Sequence, residues 1–151
     1  MNNTIAESTS TLKISEQGYP LPIEMRPLWR ISLIIISLNN LKDKNSQVTI
    51  NKIKVAVWML IRKQQWAFYV ERLTNKDTFD ISIDRSDEKA IELCLAKNLI
   101  LIEDSRLSLT ELGISLNSLI SEENILTSEV DFLQSISSSL TNTAVSKILG
   151  E

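Results

Sequence analysis

The chain has 151 residues, 43% of them hydrophobic and 23% charged, with a net charge of −3. That is the profile of a globular chain of single-domain size, neither disordered nor fibrous. With no histidine, one cysteine and three glycines, the chain lacks the materials for histidine-based triads, transition-metal sites or a glycine-rich phosphate cradle. The expectation is a protein with no enzymatic chemistry and no cofactor.

The charge is unevenly spread. Residues 1–76 hold 11 Lys and Arg against 5 Asp and Glu, whereas residues 77–151 hold 5 against 14. Such asymmetry suggests two faces of different electrostatic character.

Residues 1–18, MNNTIAESTSTLKISEQG, are polar and aperiodic and read as a flexible tail. They lack the basic and apolar regions of a secretory signal, which predicts a cytoplasmic protein; residues 19–151 then form a single domain. YPLPIEM, with prolines two apart, favours extended chain, and Pro27 suits the first turn of a helix. The apolar run at 28–38 is broken by Arg30, Ser32 and Ser37, well short of the ~20 residues a membrane span needs.

From Pro27 to about Leu41, Leu28, Ile31, Ile34, Ile35 and Leu38 share one broad side of a helical wheel, which Trp29 and Ile36 extend. Arg26, Arg30, Ser37 and Asn40 form a narrow polar stripe, interrupted by Leu33. A helix this apolar is either the central helix of the domain, or core on one side and interface on the other. A polar loop, LKDKNSQ, leads to a second helix at about 49–62, with Ile50, Ile53, Val57, Leu60 and Ile61 inward and Val55 and Met59 intruding on the other side. A third, QWAFYVERL, carries an aromatic cluster better suited to core than to binding. Trp29 and Trp58, both in strongly apolar helices, are predicted to be buried.

FDISID alternates Phe79, Ile81 and Ile83 with polar residues, the period of a half-buried strand or an extended segment. Ser86 or Asp84 is placed to cap the next helix, 87–98, in which Cys94 reads as a small buried hydrophobe. Strands at 99–102 and 106–109 flank a tight turn at Asp104 and Ser105, and Thr110 can cap the helix that follows. Two further helices close the chain, the first carrying Val130, Leu133, Ile136 and Leu140, the last stopping at Gly150. Helix, hairpin and capped helix in that order predict a mainly α (α+β) fold: a winged-helix-like domain with a short β-hairpin wing and additional C-terminal helices.

A winged helix invites a DNA-binding reading. However, the helix before the hairpin carries Asp87, Glu88, Lys89, Glu92 and Lys97, and the hairpin tip Glu103, Asp104 and Arg106, each set one charge negative. Duplex binding requires cations at those positions, so Asp87, Glu88 and Glu92 are candidates for contacting a protein partner, and the wing is a protein-contact or purely structural element. Lys42, Lys44, Lys52, Lys54, Arg62 and Lys63 are candidates for a basic patch around the second helix, either a solvated face or a site of weak, non-specific phosphate contact.

Four stretches resemble the middle component of the bacterial ABC-three-component defence systems. RPLWRISLIIISL is similar to that family's N-terminal helix, with Arg26, Pro27, Leu28, Trp29 and Arg30 matching its opening. KIKVAVWMLIRK resembles the following helix, with Trp58 at the family's tryptophan position. DEKAIELCLAKNLILIEDSRLSLTELG resembles its helix and hairpin, and ILTSEVDFLQSISSSL its C-terminal end. The resemblance spans about residues 20–151 and is most specific in the first stretch, since the helix and hairpin would fit many regulators. The loop NNLKDKNSQVT departs from the small, basic connection of the family, which leaves the loop's function open. The resemblance implies a non-catalytic subunit that bridges an SMC-like coiled-coil ATPase to an effector, often a nuclease, in Lamassu-type anti-phage or anti-plasmid complexes. The alternative is a winged-helix DNA-binding transcriptional regulator.

Overall fold

The computed structural model describes residues 27–83 and 85–151. The order is α1 (Pro27–Leu41), β1 (Val48–Thr49), α2 (Ile50–Ile61), a 3-10 turn (Lys63–Gln65), α3 (Trp66–Thr74), α4 (Arg85–Ala96), β2 (Ile100–Glu103), β3 (Arg106–Leu109), α5 (Glu111–Glu122), α6 (Thr127–Ile136) and α7 (Asn142–Ile148). The tail at 1–18, the YPLPIEM segment, Arg26 and the proposed Asp84 cap lie outside the described residues.

α1 is the central helix. It packs against α2, α4, α5, α6 and β3, and Ile31, Leu33, Ile34, Ile35, Ile36, Leu38 and Leu41 are all buried. Burying each such side chain is worth about 1.5–3 kcal/mol, and their spread around the wheel explains why so many neighbours are needed. The polar stripe does not reach solvent throughout. Ser37 is fully buried, and its hydroxyl has no hydrogen-bond partner among the described residues.

α2 is enclosed on more than one side: Val55 and Met59 are as fully buried as Ile53 and Leu60. Their position off the main apolar face was the sign of a second packing surface, supplied by α3, α6 and α7 beside α1. The helix starts at Ile50, a residue later than expected, because Thr49 ends a strand that the sequence reading missed. Thr49 Oγ1 accepts from the Lys52 backbone N–H at 3.2 Å and caps the helix.

The sheet has antiparallel order β1-β3-β2, with Val48 opposite Leu107 and Ile102 opposite Leu107 from the other side. Asp104 and Ser105 at the hairpin tip have φ of 53° and 63°, the left-handed pair that a two-residue type I′ turn requires. The Ser105 carbonyl accepts from the Ile50 N–H at 3.0 Å, tying the tip to the start of α2. Thr110 Oγ1 accepts from the Gly113 N–H at 3.0 Å, capping α5 as expected. This is a mainly α, winged-helix-like domain with a β-hairpin wing; α3 is inserted between α2 and α4, and α6 and α7 pack on the far side.

Residues 77–83 form neither helix nor strand, yet the predicted alternation holds: Phe79 is buried, and Ile81 and Ile83 partly so. α4 starts at Arg85, so Ser86 lies inside its first turn and is not its cap. Trp29 and Trp58 pack against the core but are only partly buried. With few glycines, the chain places Lys76, Asn98 and Asn124 in the left-handed position after α3, α4 and α5. In each case the next N–H closes a Schellman bond, to Arg72, Cys94 and Ile120 respectively. No described helix is long and apolar enough to cross a membrane.

Candidate interaction surface

The expected partner-binding carboxylates do not behave alike. Asp87 is buried and accepts from Arg30 Nη1 at 2.7 Å, an ion pair joining α4 to α1. It is a structural group, because a carboxylate taken out of water needs a fixed cation; the reading of Asp87 as a partner-binding surface charge is corrected. Glu88 is exposed and meets Lys54 of α2 at 3.3 Å, and Glu92 is exposed. With Asp87 withdrawn, the exposed charges of α4 balance, Arg85 and Lys89 against Glu88 and Glu92. This helix is neutral toward a duplex instead of repulsive, and it offers no surplus of cations for phosphates.

The proposed basic patch is dispersed. Lys42 and Lys44 lie in the exposed loop after α1, beside Asp43. The Asp43 carboxylate accepts from the Gln47 and Asn45 backbone N–H groups, which hold its pKa below the ordinary value. Lys52 is partly buried, and desolvation lowers its pKa. Lys54 is paired with Glu88, and Arg62 and Lys63 sit about 12 Å further along, at the C-terminal end of α2. Lys63 pairs with Glu129 at 3.4 Å. The two charge halves therefore interlock at Lys54–Glu88 and Lys63–Glu129 and do not form separate faces.

Several large apolar side chains are left exposed among the described residues. On β2, Leu101 and Ile102 are 59% and 50% exposed; on α5, Leu112 and Leu119 are 56% and 53% exposed. β2 is an edge strand, and strand edges with apolar side chains are templates for association. The two stretches are held together at Gly113, where a Cβ would lie 2.2 Å from the Leu99 carbonyl oxygen. Only glycine lets α5 approach the wing root this closely. Leu28, at the start of α1, is exposed too.

A second feature escaped the sequence reading. Trp58, Phe68, Tyr69 and Phe79 pack ring to ring, Tyr69 and Phe79 at 4.9 Å and Trp58 and Phe79 at 6.4 Å. Together with Arg62 and Arg72 they line a cleft of about 610 Å³ between α3 and the 77–83 segment. Arg62 lies over the Trp58 ring at 3.9 Å and Arg72 over Phe68 at 4.9 Å. Burial raises the pKa of the Tyr69 hydroxyl, while the Arg62 charge pulls the other way. The signal was present as two aromatic–arginine pairs, Trp58/Arg62 and Phe68/Arg72, each four residues apart on a helix.

Cys94 is fully buried and burial pushes its thiol up to about 12, so it is an inert core residue at neutral pH. Among the described residues no cluster of His, Cys, Asp and Glu could hold a metal ion. No family model, curated protein or solved structure matches this chain.

Proposed function

We infer that this chain is a non-catalytic interaction subunit of a bacterial anti-phage or anti-plasmid complex, bridging an SMC-like coiled-coil ATPase to an effector, a nuclease on the resemblance, and regulating it in the cytoplasm. The reading joins the resemblance of the RPLWRISLIIISL and KIKVAVWMLIRK stretches to one observation. The wing and α5 expose large apolar side chains on a domain whose core is already closed around α1. Uncovered leucine and isoleucine on an edge strand and an adjoining helix are the kind of surface that a permanent partner buries.

Co-expression with the genes encoded beside it provides the test. The reading expects a stable complex with a coiled-coil ATPase, lost on Leu101→Lys with Leu119→Lys. Glu88→Lys with Glu92→Lys should slow capture of one partner and leave the other bound, since exposed charge chiefly sets encounter rate and partner choice. Purification of the wild-type chain alone from such co-expression would sink the reading.

The winged-helix topology favours a second reading, a DNA-binding transcriptional regulator. It expects a footprint on a defined duplex at physiological salt. Weak binding without sequence preference, vanishing as salt rises, would count against it.

A further inference from the structure

We propose that the cleft between α3 and the 77–83 segment binds a nucleoside phosphate, with the base against the aromatic wall and the phosphate on Arg62 and Arg72. This site is separate from the wing and α5 and does not depend on the bridging role.

Three observations combine. First, the wall is aromatic and partly open: Phe68 is 38% exposed at the cleft, with its ring edge-on to Tyr69 and Phe79, and Trp58 lines it with Arg62 over its ring. Every nucleobase has a π-face, so such a wall accepts any of them. Second, both guanidiniums are held by rings instead of carboxylates. No described carboxylate lies within ion-pairing distance of either arginine, whereas Arg30 is committed to Asp87. Arg62 donates one bond, from Nη1 to the Trp58 carbonyl at 2.9 Å, leaving donors for a phosphate. A guanidinium held over a ring keeps N–H donors available, and its fork matches the oxygens of a phosphate. Third, Gln65, Thr78 and Asp80 also line the cleft, supplying donors and acceptors for the polar edge of a base.

The alternatives fit less well. A fatty acid would leave Gln65 and Asp80 against hydrocarbon, at a desolvation cost. A dicarboxylate or inorganic phosphate would use the arginines and leave the rings bare. The volume, about 610 Å³, falls within the roughly 300–1,000 Å³ of small-molecule sites.

The same moiety exists free in solution and along single-stranded nucleic acid, and binding measurements separate the two. The full chain would be titrated by calorimetry with adenosine and guanosine 5′-monophosphates, a short single-stranded oligothymidylate, inorganic phosphate and an acidic peptide. Saturable binding of mononucleotides assigns a free-nucleotide site; binding of the oligonucleotide with much weaker mononucleotide binding assigns a strand. In either case Arg72→Gln and Phe68→Ala should each weaken binding about tenfold, the size of one charge-assisted hydrogen bond or one stacked base. Lys97→Gln, at an exposed position just after α4 and outside the cleft lining, should leave it unchanged. Circular dichroism and melting confirm that each variant is folded. Three results would overturn the assignment: no binding of nucleotide or strand, equal binding of inorganic phosphate or the acidic peptide, or affinity unaffected by both cleft variants.

Discussion

α1 and α5 are both rich in leucine and isoleucine, and both follow directly from a strong start signal, Pro27 in one case and Thr110 in the other. Their surroundings differ. α1 buries nearly every apolar residue from Ile31 to Leu41 and spends its one arginine on a buried carboxylate. α5 buries Gly113 and Ile120 and leaves Leu112, Ile114 and Leu119 exposed. Apolar content therefore says that a helix needs company, and the wheel says how much of it this chain provides. α1 has apolar residues all round and is enclosed by its own fold. α5 has them in excess of what its own fold covers.

Breaking the inner half of this comparison should have the largest effect. Arg30→Met removes the cation that meets the buried Asp87 carboxylate at 2.7 Å, and breaking a buried pair in this way typically costs about 3–5 kcal/mol. Urea denaturation should show that loss, and adding Asp87→Leu should recover most of it. If Arg30→Met alone is nearly neutral, the pair is not what fixes α4 on α1.

The joint between the two regions comes next. Gly113→Ala would ordinarily favour a helix by about 1 kcal/mol, but here the new methyl meets the Leu99 carbonyl oxygen. Net destabilisation of about 1–3 kcal/mol is expected from overpacking, read as a lower denaturation midpoint. A gain in stability would mean that α5 can back away from the wing freely.

A smaller effect of opposite sign is expected at Ser37. Its buried hydroxyl has no partner among the described residues, so Ser37→Ala should stabilise by about 1 kcal/mol, visible as a rise in melting temperature. The outer half is the control. Leu101→Lys and Leu119→Lys should change the stability of the isolated chain by less than about 0.5 kcal/mol each. A larger loss would show that these side chains belong to the core after all.

The elements legible in the sequence were those with a local signature: the hairpin with its polar tip, the Thr110 cap, the alternating Phe79–Ile81–Ile83 register and the Gly150 stop. β1 was missed because two residues cannot display a period, and Val48–Thr49 reads equally well as a helix entrance. Asp87 was misread because its partner lies 57 residues away. A helical wheel of α4 shows a carboxylate but not the guanidinium that will cover it. The same limit hid the separation of the basic residues, since charges counted along the chain carry no information on which ones meet across it. The aromatic cleft failed for a different reason: its rings were correctly expected to pack together, but packing on one face does not exclude a partly open ring on another.

The wing is fastened at both ends. Its root is clamped where Gly113 rides on the Leu99 carbonyl, and its tip is bolted to α2 by the bond from Ile50 to Ser105. A hairpin held this way is a handle, not a flap: a load applied to it passes into α2 and α5 and from both into α1. Hydrogen exchange at the Ile50 amide reports on that stiffness. It should be as slow as in the middle of α2, because opening the tip then requires loosening the helix itself; fast exchange there would mean that the wing swings alone.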